Sequence, residues 1–118
     1  MDADRAKQVA RAYFDRLPRE RDLAVIDELL AADYVDHDAP PGTPPGPQAT
    51  KAFVGALLSH HPDLRIEIDD CLAEGDRVAL RLRWLAEETG YRQYGIVILR
   101  LEESGRIAER WSAYMSLA

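Results

Sequence analysis

Between Pro40 and Pro47 the chain reads Pro-Pro-Gly-Thr-Pro-Pro-Gly-Pro, five prolines in eight residues. Each proline fixes φ and withholds a backbone donor, so this stretch can neither continue a helix nor enter the middle of a sheet. It must be a stiff surface loop that holds its two flanks in a set relation. At its mouth stands Tyr34-Val35-Asp36-His37-Asp38, with three titratable side chains in a row. Histidine is the residue type that changes charge near neutral pH without help, so the direction of His37 matters most.

The residues before the loop follow a helical period. Ala6, Val9, Ala10, Tyr13, Phe14 and Leu17 make an i, i+3, i+4, i+7 stripe, and Pro18 is the expected stop. A shorter helix is predicted from about Asp22 to Leu30, burying Leu23, Ile26 and Leu30. A third is predicted from Gly46-Pro47 to the His60-His61-Pro62 segment, with Ala49, Ala52, Phe53, Ala56 and Leu57 inward.

From Leu64 the period becomes two. Leu64, Ile66 and Ile68 alternate with Arg65, Glu67 and Asp69. After a turn at Glu74-Gly75-Asp76, Val78, Leu80, Leu82 and Trp84 alternate with arginines and Ala79. Gly95 to Leu99 is apolar on both faces and reads as a central strand covered on both sides. Glu103-Ser104-Gly105 turns into a last strand, Arg106 to about Ser116. Helices first and strands last make an α+β plan. Three N-terminal helices should pack on an antiparallel sheet of at least four strands, in one domain spanning residues 1–118.

Composition narrows the partners. A formal net charge of −6 with interleaved arginines opposes nucleic-acid binding, which needs clustered cations. The longest purely apolar run, Ile96 to Leu99, is far below the ~20 residues of a membrane span. Cys71 has no partner for an internal disulfide. With an acidic N-terminus, these features point to a cytoplasmic protein with no membrane partner. No residues have metal-ligand spacing, and Gly42 and Gly46 lead into no Walker lysine, so neither metal nor cofactor is expected.

The chain resembles the SnoaL-like polyketide cyclases of the nuclear transport factor 2-like superfamily. The resemblance rests on Tyr34 to Asp38 with the proline loop, His61-Pro62-Asp63-Leu64, Glu74-Gly75-Asp76-Arg77-Val78, Thr89-Gly90, and Gly105-Arg106-Ile107-Ala108-Glu109-Arg110-Trp111. It implies a strongly curved sheet closed by helices into a cone around a pocket, and a homodimer through the outer sheet face. It also implies cofactor-free acid/base chemistry (cyclase, isomerase or related lyase) on a hydrophobic, oxygenated small molecule. Two positions depart from the family pattern. Glu88 stands where a histidine is usual before Thr-Gly, and Met115 stands where the cyclases carry their acid/base aspartate. The second departure favours an alternative, a non-catalytic binding protein of the same fold.

Strand parity sorts the polar residues, because alternate side chains share a face. If Val35 faces inward, so does His37, while Asp36 and Asp38 face solvent. A structural histidine beneath the loop is the other reading of His37. On the second strand the inward set extends from Val78 through Trp84 and Ala86 to Glu88. In the last strand Ile107, Trp111, Ala113 and Met115 share parity with Glu109. His37, Glu88 and Glu109 are therefore the candidate catalytic groups, with Tyr13, Phe14, Trp84, Trp111 and Met115 as substrate-binding walls. Glu88 and Glu109 also have structural readings, in solvent or paired with an arginine. A carboxyl pressed against tryptophan loses solvation and can exchange protons with carbon at neutral pH.

Overall fold

The computed structural model describes residues 1–117. The first helix, α1 (Ala3–Glu20), starts where the Asp2 carboxylate accepts a hydrogen bond from the Arg5 N–H at 2.8 Å. Its stripe is as expected: Ala6, Ala10, Tyr13, Phe14 and Leu17 are all buried. Pro18 does not stop it. In the last turn a proline removes only one internal hydrogen bond, and the helix runs on to Glu20. The stop is Arg21, in left-handed backbone at φ 53°, whose N–H closes on the Leu17 carbonyl.

The second helix, α2 (Ala24–Leu29), is shorter than expected. Leu30 is buried as the first residue of a strand, β1 (Leu30–Asp36). After the proline loop comes α3 (Gln48–His60), whose buried residues are Val54 and Leu58. The helix is thus turned by one residue, roughly 100°, from the predicted stripe. Phe53 is 62% exposed because it faces a cavity rather than the core.

Four further strands follow: β2 (Arg65–Glu74), β3 (Arg77–Ala86), β4 (Tyr91–Leu101) and β5 (Ile107–Ser116). Their order is β1-β5-β4-β3-β2, so the sheet has five strands, with β4 in the middle. All pairs are antiparallel except β1 with β5, which is parallel. The curved sheet wraps its apolar face around α1, and Val78, Leu80, Leu82, Val97, Leu99 and Ile107 form its side of the core. Only one face of β4 is covered by this chain, since Ile96 and Ile98 remain 45% and 38% exposed.

One irregularity decides what faces inward. Leu101 pairs with Ile107 while Arg100 pairs with Glu109, so Ala108 is an extra residue in β5. Such a bulge reverses the side-chain parity beyond it. Ile107 and Ala108 are both buried. Thereafter Arg110, Ser112 and Tyr114 take the inner side, and Glu109, Trp111, Ala113 and Met115 the outer. The register of β1 against β5 breaks in the same region, so Tyr34 is 2% exposed and Val35 36%. The parity expected for both strands is therefore inverted.

Deleting Ala108 should make the ladder regular, with the Leu101–Ile107 and Arg100–Glu109 pairs consecutive and Arg110, Ser112 and Tyr114 still on the inner face. We expect a folded variant that loses about 0.5–3 kcal/mol, read by urea denaturation with circular dichroism. A deletion variant that cannot fold would mean that the bulge itself, and not the facing of the residues beyond it, holds β5 in place.

A candidate active site in the cone

The inner faces of β1 and β5, the proline loop, α3 and the ends of β3 and β4 enclose a cavity of about 530 Å³. Phe53, Val54 and Leu57 of α3 form one wall, and Trp84 and Tyr91 another. The loop supplies Ala39, Pro40, Thr43 and Pro44 as a third. It is tied down at both ends. The His37 N–H reaches the Arg110 carbonyl at 2.9 Å, and the Gly46 N–H reaches the Tyr34 carbonyl at 2.7 Å. Gly46 needs its lack of side chain, since at φ +104° a Cβ would lie 3.1 Å from the Ala32 carbonyl.

Polar groups enter this apolar space from two strands. Asp36 and Arg110 are register partners across the parallel β1–β5 pair, so they stand side by side on the inner face. Asp38 accepts a hydrogen bond from the Ser112 N–H at 2.7 Å, which fixes the mouth of the loop to β5. Its own N–H donates to Asp36 Oδ1 at 3.0 Å. Arg110 is the one basic residue in the lining, and among the described residues it has no carboxylate within 4.0 Å. One Nη donates to the Tyr114 hydroxyl at 2.8 Å, the guanidinium lies 5.6 Å over the Phe14 ring, and its buried Nε has no partner.

Burial and this one cation set the local ionisation. Loss of solvation raises the Tyr13 phenol to about 12, with Arg110 opposing the rise. The Tyr34 and Tyr114 phenols are likewise pushed up by burial against the pull of Arg110. For Arg110 desolvation works against the charge, but the facing phenols of Tyr114, Tyr34 and Tyr13, together with Asp36, outweigh it and hold the guanidinium above its ordinary value. Around neutral pH the site therefore holds neutral phenols around a fixed cation.

Of the residues expected from the sequence, Tyr13 and Trp84 line the cavity. Phe14 is fully buried behind it, edge-on to Tyr13 and Trp84. His37, Glu109, Trp111 and Met115 do not line it, because the bulge turns them to the outer face. There His37 stacks on Trp111 at 4.6 Å and binds Glu109 through Nε2 at 2.7 Å. Arg100 pairs with the same carboxylate, and Arg100 first, then His37, holds Glu109 below its ordinary carboxyl value. Met115 is 60% exposed, so the side chain at that position does not decide whether the cavity holds an acid. Glu88 also lies outside, because β3 ends at Ala86 and residues 87–90 form an exposed turn. The groups that sequence reasoning missed are Tyr34, Asp36, Asp38, Arg110 and Tyr114. Their shared parity, i, i+2 and i+4 from Tyr34 to Asp38 and i, i+4 from Arg110 to Tyr114, was readable, but their facing was not.

The sequence matches the family model described as a SnoaL-like domain over residues 10–110. The chain belongs to this family. Among solved structures of similar fold, a loop-truncation variant of IdmH from Streptomyces antibioticus is 26% identical, with 92% of this chain and 91% of that chain covered at a TM-score of 0.77. TsrD from Streptomyces laurentii is 22% identical, covers 97% and 90% and has a TM-score of 0.79. A SnoaL-like polyketide cyclase from Agrobacterium tumefaciens is 18% identical, covers 98% and 93% and has a TM-score of 0.76. No curated protein matches the sequence. In this SnoaL-like chain the resemblance read from the sequence is thus borne out for family and fold.

The buried phenols of the SnoaL-like cone make a pH prediction. Tyr13 has a folded pKa near 12 against an ordinary value of 10.0. Below pH 10 both states are protonated and stability is unaffected. Between 10 and 12 the unfolded chain ionises first, so stability falls with rising pH, by on the order of 3 kcal/mol from this group. Urea denaturation across that window should show the decline, and Tyr13→Phe should flatten part of it. A flat wild-type profile would contradict the burial of this phenol.

Proposed function

We propose that the protein is a cofactor-free acid/base enzyme, a cyclase or isomerase, acting on a hydrophobic, oxygenated small molecule. The observation that carries this is that Asp36 and Arg110, register partners across β1 and β5, both line one largely apolar cavity. Asp36 would accept a proton from carbon next to a carbonyl, and the electron pair of that bond would move to the carbonyl oxygen. Arg110 would stabilise the negative charge growing there, worth most where water is thinned out. The proton then returns to a different carbon in an isomerisation. In a ring closure the carbanion attacks a second carbonyl and the resulting alkoxide takes the proton. Wild-type IdmH, provisionally named a polyketide cyclase, supports the same direction of reading.

A binding role without catalysis is the second reading. It is favoured by the Asp38 N–H bond to Asp36 Oδ1, which gives that carboxylate a structural task in the turn. The proposal also includes a homodimer through the outer sheet face, where Ile96, Ile98 and Met115 are the exposed apolar groups such a contact would cover. Sedimentation should give a dimer for the wild type and a monomer for Ile98→Glu.

Proton exchange tests the chemistry without a known substrate. In deuterium oxide the protein should speed exchange at the carbon next to the carbonyl of bicyclic aromatic ketones, followed by NMR. Asp36→Asn should slow it by roughly 10²–10⁴, while His37→Asn and Glu109→Gln should stay within a few-fold. Ketone binding with no exchange above buffer would leave the binding reading.

A further inference from the structure

Tyr114 occupies an unusual position in the cavity wall. Its phenol oxygen accepts two hydrogen bonds, from Trp84 Nε1 at 3.1 Å and from an Arg110 Nη at 2.8 Å. A phenol oxygen has room for two acceptances, and both are filled. The hydroxyl proton must point elsewhere, and among the described residues it has no acceptor. Trp84 and Arg110 both line the cavity with it. The two donors also draw electron density from the oxygen, which strengthens the remaining O–H as a donor.

The ring is held by an absence. Tyr114 pairs with Gly95 across β4 and β5, and lies flat on it. A Cβ at Gly95 would meet Tyr114 Cδ1 at 2.3 Å and Cε1 at 2.4 Å, distances that no side chain can share. Gly95 is not in a left-handed conformation, so close approach and not φ explains the glycine. The ring face opposite Trp84 is not free to swing either: the two rings sit edge-on, 6.2 Å apart at 83°.

We infer that Tyr114, seated on Gly95 and aimed by Trp84 and Arg110, donates its hydroxyl proton as a hydrogen bond to an oxygen of the ligand, making the carbonyl-binding subsite of this cavity. This deepens the proton-transfer reading above and rests on it for the chemistry. Tyr114 keeps its proton throughout: Asp36 takes the proton from carbon, the electron pair moves to oxygen, and the hydrogen bond shortens as charge grows. The subsite also sets the ligand class. The lining carries Asp36 and Asp38 against Arg110 alone, so a ligand with a fixed carboxylate meets net negative charge. An uncharged ketone or ester, anionic at oxygen only during reaction, meets two donors and no penalty on entry.

The probe is 4-nitroacetophenone, an uncharged planar ketone followed by its ultraviolet absorbance. It should bind the wild type, and Tyr114→Phe should weaken that binding roughly tenfold to a hundredfold. The analogue with a methylene in place of the carbonyl should bind the wild type and Tyr114→Phe alike. Gly95→Ala should weaken ketone binding in the same way by displacing the ring; should it fail to fold, Tyr114→Phe, which keeps the ring, carries the test. The uncharged ketone should also bind more tightly than 4-nitrobenzoate. Unchanged ketone binding in Tyr114→Phe, an equal loss for the methylene analogue, no binding by the wild type, or tighter binding of the benzoate would each overturn the assignment. Failure here with exchange still dependent on Asp36 would sink Tyr114 alone. Exchange independent of Asp36 with probe binding lost in Tyr114→Phe would sink the proton-transfer reading and leave the oxygen subsite.

Discussion

The extra residue at Ala108 is the constraint on which the interior depends. Because strand side chains alternate with a period of two, a single inserted residue exchanges the two faces of everything after it. Were Ala108 paired in regular alternation instead of bulged, Glu109, Trp111 and Met115 would fill the cone, and Arg110 and Tyr114 would stand outside. The same interval contains the break in register between β1 and β5, after which Asp36 comes level with Arg110. One local irregularity thus selects the polar content of the cavity on two strands at once. It does so at low cost, since Ile107 and Ala108 are both apolar and both buried.

Arg110 is the electrostatic counterpart of that geometry. A guanidinium beside apolar walls loses hydration, and among the described residues no carboxylate approaches closely enough to form an ion pair with it. What holds the charge instead is a ring of phenol dipoles, the Phe14 and Tyr114 ring faces, and Asp36 as strand neighbour. This distributed arrangement differs from the outer face. There Arg83 grips Asp69 through two hydrogen bonds, at 2.8 and 2.9 Å, and Arg81 grips Asp70 at 2.7 Å. The charge of a paired arginine is already compensated by its carboxylate. That of Arg110 is left to the dipoles around it and to whatever enters the cavity.

Much of the architecture could be read from residue order, and the reasons are local. The stripe from Ala6 to Leu17 and the alternation from Val78 to Trp84 each stay in one register over three or more repeats. Family membership was likewise readable, from a series of short motifs in order. What could not be read were features set by tertiary pairing. Pro18 permits a last helical turn because the packing of α1 outweighs one missing hydrogen bond. The rotation of α3 depends on a cavity that takes Phe53 off the core. The bulge leaves no mark in the pattern, because Ile107-Ala108 is apolar in either parity. His37 drew attention through its chemistry, yet its ring is stacked on Trp111 outside, while the unremarkable Tyr34, Asp36 and Tyr114 occupy the interior.

The proline loop converts a strand edge into a wall of the cavity with little freedom left to lose. A flexible cover would have to be ordered each time a ligand enters, at roughly 1–2 kcal/mol per residue fixed. Five prolines have already removed much of that freedom in the unfolded chain as well as the folded one. Hydrogen bonds then fasten the segment, among them Asp38 to the Ser112 N–H, the Gly46 N–H to the Tyr34 carbonyl, and the Thr43 hydroxyl to the Pro40 carbonyl. Two of these anchor points, Tyr34 and Ser112, are themselves cavity residues on β1 and β5. The wall and the polar pair beneath it are therefore parts of one rigid unit. Asp36 and Arg110 are braced by the same strands that anchor the wall, which is the preorganisation that the proposed electrostatic catalysis would use.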